Sequence, residues 1–307
     1  MTRSPTSPKH VLITGGSGLL GMRLTDALLE KGYRVSHLGR KPGKDVRVQT
    51  FLWDVTKGKV DEQCIDDTDV IVHLAGAGIA DKKWSEDRKK LIINSRAASI
   101  RLIYNLIQRR PNKVNSIISA AAIGYYGNRG NELLTEESPP GKGFMPECCI
   151  AWEEAADEGK KLGLRVVKLR TGVVLDKKGG ALRQMAMPVK LYAGAALGSG
   201  RQWVPWIHWQ DAVDMYLAAI ENINLTGVYN MVAPAPATNR QLMKAIATQL
   251  DRPLWFFSVP GLVFKMLMGE MSIIILGSTR VSSQKIQDEG FVFKYPDLAG
   301  ALKQIYG

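Results

Sequence analysis

The feature that most constrains this chain is the run Thr14-Gly15-Gly16-Ser17-Gly18-Leu19-Leu20-Gly21 near its start. A short apolar run precedes it, His10–Thr14 (HVLIT), of the kind a buried parallel strand requires. After it Leu20, Leu24, Ala27 and Leu28 recur at helical spacing, and Gly32 closes that pattern. Glycines at 15, 18 and 21 permit a tight turn and let the backbone approach a bound anion closely. The free N–H groups and positive end of the following helix then stabilise a pyrophosphate. A glycine cluster alone reads as a plain turn. Strand, motif and helix in register read as a dinucleotide site.

The pattern continues. Tyr33–Leu38, Val48–Trp53, Val70–Leu74, Ser116–Ala120 and Arg165–Leu169 read as strands. Lys89–Gln108 reads as a helix with Ile93, Ala97, Ile100, Tyr104 and Ile107 along one stripe, and Trp152–Lys161 as a helix ending at Gly163. Alternating strands and helices predict an α/β, Rossmann-type, doubly wound parallel sheet with a smaller C-terminal substrate lobe. Beyond about Asp176, Gly179, Gly180, Gly194, Gly198 and Gly200 mark loops. A helix over Asp211–Ile220, a strand over Val228–Val232 and a helix over Asn239–Leu250 follow, the last opened by a Thr238-x-x-Gln241 capping box. The division expected is a cofactor-binding domain over 1–177 and, over 178–307, mainly a substrate lobe and C-terminal module. Segments such as 204–232 are free to return to the first domain. A chain of 307 residues buries a sufficient core without disulfides or metals.

The end of the second strand selects the cofactor. An NAD site places Asp or Glu there, about 20 residues past the loop, on the ribose hydroxyls. Here the strand ends Leu38-Gly39-Arg40-Lys41, with no acid. Two cations suit a 2′-phosphate, so the cofactor expected is NADP(H); the alternative for them is a solvated loop charge. Asp54, after the third strand, accepts from an adenine amino group or simply forms a turn. Leu74-Ala75-Gly76 follows the fourth strand, where small residues pass beside a ribose. Arg96 faces either the cofactor or solvent. Val173 and Val174, after the sixth strand, touch the nicotinamide side or serve packing.

Three stretches, TGGSGLLG at 14–21, HLAG at 73–76 and SAAAIGYYG at 119–127, resemble the extended short-chain dehydrogenase/reductases, which include nucleotide-sugar epimerases. Cys149–Ala156 (CIAWEEAA), Val204–Asp211 (VPWIHWQD) and a tail carrying Gly269-Glu270-Met271 and Gly290–Leu298 narrow the resemblance. They point to the atypical NAD(P)-dependent epimerase/dehydratase-like branch labelled division-inhibitor-like, with its small C-terminal module. The resemblance covers nearly the whole chain. It implies strand order 3-2-1-4-5-6, a substrate lobe and NADP(H).

One departure stands out. That group carries Tyr-x-x-x-Lys after the fifth strand, the Lys lowering the phenol pKa for acid/base work. Here Cys148 falls at the Tyr position and Trp152 at the Lys position, and Ser119 is followed by three alanines. A phenol near its ordinary pKa of about 10 is a poor base at neutral pH. Tyr125 or Tyr126, Cys148 and His208 are substitute candidates, each with a packing alternative. Glu153 and Glu154 are expected on the solvent side of their helix. Two functions stay open: an NADP-dependent oxidoreductase or epimerase with a non-standard active site and an unidentified small-molecule substrate, or an NADP(H)-binding regulator acting on a protein partner, in division.

The formal net charge of +12 favours anionic ligands. Lys and Arg are scattered, however, and the densest patch, Arg88-Lys89-Lys90, opens a helical pattern, so nucleic acid is not an expected partner. Three cysteines, an odd number without C-x-x-C, form neither a disulfide framework nor a zinc site. A reducing, cytoplasmic setting follows. Met1–His10 has no apolar core, hence no signal peptide, and reads as a frayed start. The apolar stretch Leu254–Leu276 is interrupted by Pro260, Gly261, Lys265 and Glu270. A membrane helix needs roughly 20 uninterrupted apolar residues, so a buried, packed segment is expected instead. Trp203, Trp206, Trp209, Trp255, Phe256 and Phe257 are likewise expected in core rather than lining a pocket.

Overall fold

The computed structural model describes residues 9–307. The expected frayed start falls, over Met1–Pro8, outside the described residues. Seven parallel strands form the central sheet. In chain order they are β1 (His10–Thr14), β2 (Arg34–Gly39), β3 (Gln49–Asp54), β4 (Val70–His73), β5 (Ser116–Ala122), β6 (Arg165–Thr171) and β7 (Gly227–Met231). Their spatial order is β7-β6-β5-β4-β1-β2-β3, and the two-residue strand Lys59–Val60 adds antiparallel to β3 at the edge. The 3-2-1-4-5-6 order therefore holds and is extended by a seventh strand.

Helices cover both faces, as a buried parallel sheet demands. Along β1 the side chains alternate. Val11 and Ile13 pack with Leu24 and Leu28 of α1 (Leu19–Glu30) and with Val213 and Tyr216 of a helix at Trp209–Glu221. Leu12 points the other way, onto Ile100 and Ile103 of α2 (Glu86–Arg109) and Ala155 and Ala156 of α3 (Phe144–Asp157). The segment after residue 178 thus contributes both a covering helix and a strand to the Rossmann sheet. The remaining lobe has its own core, built by α4 (Gly180–Lys190), α6 (Asn239–Gln249) and α8 (Leu298–Tyr306), with Leu182, Val189, Leu242, Ile246 and Leu302 fully buried. We call the Trp209–Glu221 helix α5. The capping box at Thr238 and Gln241 forms.

Two expectations are corrected. Helix α3 starts at Phe144, eight residues earlier than the spacing predicts. Gly143 is its N-cap, and Pro146 sits in the first turn, where its missing N–H has no helical partner to lose. Leu254–Leu276 is not a buried segment. Helix α7 (Gly261–Met268) has no buried residue, and Trp255, Phe256 and Phe257 are all exposed. Apolar composition requires an opposing element before it buries anything, and along this stretch much of the apolar surface has none. Trp206 alone among the six lobe aromatics is fully buried.

Candidate functional site

In open α/β sheets, ligands bind beyond the carboxyl ends of the strands where the strand order reverses. That point lies between β1 and β4. Gly15 follows β1 with φ of 73°, a left-handed conformation that costs a side-chain-bearing residue about 1 kcal/mol or more. Its carbonyl accepts from Gly18 N–H at 2.9 Å, and Gly18 is the N-cap of α1 with no side chain capping the first turn. The leading amides of the helix are therefore left to an external acceptor. A Cβ at Gly21 would stand 2.5 Å from the Gly15 carbonyl oxygen, and one at Gly15 3.0 Å from the Ala75 nitrogen. Gly16 is buried on the His37 ring, while Ser17 and Gly18 are exposed. The loop has no room for side chains on its inner side and presents backbone on its outer side.

Beneath the loop runs a buried hydrogen-bond chain that sequence reading missed. Leu74 and Ala75 donate their N–H groups to Thr14 Oγ1 at 3.2 and 3.1 Å. Thr14 Oγ1 lies 3.0 Å from His73 Nδ1, and His73 Nε2 lies 3.0 Å from Ser99 Oγ. Ser99 donates to the Arg96 carbonyl at 2.8 Å. The donors fix the directions. Ser99 spends its proton on Arg96, so Nε2 carries the hydrogen and Nδ1 accepts from Thr14. His73 is neutral, its imidazole pushed down to about 4 by complete burial. A second support pairs Thr25 with His37 Nε2 at 2.8 Å; burial also lowers this imidazole. A polar residue ending a buried strand, as Thr14 and His73 do, was the available signal.

A cleft of about 350 Å³ runs from the loop across the strand ends. Gly15, Gly18, Leu19, Leu20 and Gly21 line one side, Leu74, Ala120 and Thr171 the floor, and Val173, Val174, Gly180 and Ala181 the other side. Gly39 ends β2, and Arg40 and Lys41 follow it, both exposed and, among the described residues, in no ion pair. Asp54 turns inward on its own turn. Its carboxylate accepts from the Thr56 hydroxyl at 2.6 Å and from the Thr56 and Lys57 amides, interactions that hold it below the usual carboxylate range. Arg96 is half-buried. A Cβ at Gly76 would lie 3.1 Å from its Cζ, and its guanidinium stands 4.8 Å from the Trp152 ring centroid. Its hydrogen-bond acceptor is the Ile92 carbonyl at 2.9 Å. A cation thus lies over the indole of Trp152, the residue that the resemblance places at the Lys position of the usual pair.

The catalytic candidates fare differently. Cys148 is buried, and burial raises its thiol, so the thiolate a nucleophile requires is disfavoured. Cys149 and Cys64 are buried too, Cys64 pushed up to about 12. His208 is fully buried and caps α5, its Nδ1 accepting from Gln210 N–H at 3.1 Å. Its Nε2 meets Gln304 Oε1 at 2.9 Å, and its ring lies 3.9 Å from that of Tyr295. Burial pushes this imidazole down to about 4. These contacts make His208 a structural post joining α5 to the C-terminal module. Tyr125 lies with its ring 3.5 Å from the Arg170 guanidinium. The Tyr126 hydroxyl accepts from Arg170 at 2.9 Å and donates to Asn230 at 2.7 Å, in surroundings that push its phenol up to about 12, chiefly through burial.

Glu153 corrects another expectation. It is buried, not solvated, and forms a two-bond pair with Arg170 at 2.7 and 3.0 Å; Glu154 alone is exposed. Lys168 Nζ lies 3.6 Å from Glu153 and 2.7 Å from Asp157. This network ties α3 to β6 beside the cleft. It is built for rigidity, since every charge in it has a counter-charge.

Comparison with known proteins bears on what such a cleft holds. The model of the NAD dependent epimerase/dehydratase family matches residues 11–231, and that of a domain of unknown function (DUF1731) matches 259–305. The Epimerase family protein YfhF of Bacillus subtilis is 36% identical over 96% of this chain and 97% of its own. The chloroplastic Epimerase family protein SDR39U1 homolog of Arabidopsis thaliana is 34% identical over 97% of this chain and 87% of its own. The crystal structure of human epimerase family protein SDR39U1 (isoform2) with NADPH superposes with a TM-score of 0.86. It is 30% identical and covers 97% of this chain and 99% of the human one.

Proposed function

Because this chain belongs to the NAD dependent epimerase/dehydratase family, we propose that it binds NADP(H) in the cleft at the β1–β4 reversal and uses it on a small-molecule substrate. The observation that carries the reading is the loop itself: a left-handed Gly15, an uncapped α1 and a 350 Å³ cleft leading away from them. In this reading the amides of Gly16 to Leu20 hold the pyrophosphate. Arg40 and Lys41 hold the 2′-phosphate, and Leu74, Ala75 and Gly76 border a ribose. Val174 packs beside the nicotinamide. The human relative's NADPH supports the choice of NADP(H) over NAD. Bound, the cofactor supplies or accepts a hydride. The chain's part is to fix it in place and exclude water, with the Arg96 guanidinium 4.8 Å from the Trp152 ring centroid as the cation at the position of the missing Lys.

A second reading rests on a specific observation. Cys148 and Trp152, at the positions of that pair, are both buried and packed. A protein that holds NADP(H) and acts on a protein partner needs neither. The three unpaired, buried thiols fit a reducing compartment under either reading. Titration calorimetry tests the cofactor: NADPH should bind at least about tenfold more tightly than NADH, and Arg40→Glu should remove most of the difference, since one charge-assisted phosphate contact contributes roughly 1.5–3 kcal/mol. Equal affinities would overturn the assignment. A metabolite screen that follows NADPH absorbance separates the readings; turnover with any carbonyl substrate rejects the regulator.

A further inference from the structure

Among the described residues, α7 is the one helix of eight or more residues with none buried. Leu262, Val263, Met266 and Leu267 on it are exposed, and Phe256, just before it, is 91% exposed. Trp255 and Phe257 continue the patch, their rings 4.8 Å apart, and Tyr192 joins it through the Trp255 indole, which donates to the Tyr192 carbonyl at 2.7 Å. Isolated exposed hydrophobics need no explanation; a contiguous patch does.

The rim of the patch is cationic. Arg240, Lys244 and Arg252 line an open cleft of about 340 Å³ together with Trp255 and Phe256. Arg240 donates to the Phe256 carbonyl and to Ser258 Oγ, and Arg252 lies 4.7 Å from the Tyr192 ring centroid. Lys265 projects from α7 itself. Residues 239–276 contain two acids, Asp251 and Glu270, and Glu270 is spent on Lys89 at 2.7 Å. Among the described residues none of the four cations is in an ion pair.

Charge decides the occupant. A second copy carries the same +12 and would set cationic rim against cationic rim. Apolar and aromatic side chains ringed by unpaired Lys and Arg match a different surface, one with hydrocarbon beneath and negative charge at its face. No described helix is long and apolar enough to cross a membrane, so attachment would be lateral. We propose that residues 252–268, with Arg240 and Lys244, form a docking surface for an anionic lipid bilayer, into which the Phe256 ring and the α7 side chains insert. This surface is separate from the β1–β4 cleft and its assignment does not depend on the cofactor.

The test uses the full-length protein and vesicles of phosphatidylcholine alone or with about one third phosphatidylglycerol. Cosedimentation should occur with the second and not the first, and should weaken steeply with salt, because each rim cation adds about fivefold to binding. Lys244→Glu and Arg252→Glu should each reduce partition more than fivefold, being reversals. Phe256→Glu and Met266→Glu should reduce it at least about tenfold, because a charge replaces inserted apolar surface. Thermal melting checks that each variant is folded, which the exposure of Lys244, Phe256 and Met266 favours; Arg252 is half-buried. Equal binding to both vesicles, no binding to either, or variants that bind like the parent would overturn the proposal. So would a dimer in light scattering that Phe256→Glu dissociates, since a second copy would then be the occupant.

Discussion

His73 is buried as a neutral imidazole, and this makes the fold sensitive to acid in a calculable way. Unfolded, it titrates at its ordinary value of 6.5; folded, it is held down to about 4. Between those values the unfolded chain binds the extra proton and the folded chain does not, so stability falls as pH falls. Stability is undiminished above pH 6.5 and is lost progressively down to about pH 4. The slope is about 1.4 kcal/mol per pH unit, or about 2 kcal/mol by pH 5. His208 is held down equally and adds a similar loss. Urea unfolding followed by circular dichroism at pH 7.5 and pH 5 should therefore show a difference of at least about 4 kcal/mol, since burial lowers His10 and His37 as well. His208→Asn separates the two. Asn remains a good N-cap but does not titrate, so the variant should lose about 2 kcal/mol of the pH dependence. Unfolding free energy that is flat over this range, or a His73 ring whose NMR signals titrate near 6.5, would refute the neutral-chain assignment.

Gly15→Ala forces a Cβ to 3.0 Å from Ala75 in a left-handed conformation; stability should drop by about 1–2 kcal/mol, and calorimetry should detect no NADPH binding. Glu153→Gln leaves the buried Arg170 without its counter-charge and should cost about 3–5 kcal/mol in urea unfolding, whereas Glu153→Met paired with Arg170→Met should cost less than either alone. The thiols of Cys64, Cys148 and Cys149 should react with a disulfide reagent at pH 7 only as fast as the protein opens, and at full rate in urea.

What the sequence disclosed divides by distance along the chain. The strand-loop-helix unit at residues 10–30 is local, and its period and glycines are enough to place it. Arg40 and Lys41 follow from it, because the end of the second strand is a fixed step away. The Thr14–His73–Ser99 chain joins residues 59 and 26 positions apart, which no local pattern brings together. Glu153 reads as solvated because it neighbours Glu154 on a helix; its partner Arg170 lies on a later strand. His208 and Cys148 stay ambiguous until burial is known, since the same residue types serve chemistry and packing. The stretch 254–276 departs from its expected burial for a related reason. Hydrophobicity states that a surface avoids water, not that the fold supplies something to cover it.

The position of β7 has a consequence for how the protein is made. The sheet is complete only when residues 227–231 lie beside β6. During synthesis, β6 therefore leaves the ribosome well before its outer neighbour, and its unpaired edge waits while residues 172–226, which include α4 and α5, are translated. An exposed parallel edge is a template for pairing with other chains. The nascent protein is most vulnerable in that interval, and slowing translation between residues 172 and 231 should raise aggregation more than slowing it anywhere earlier.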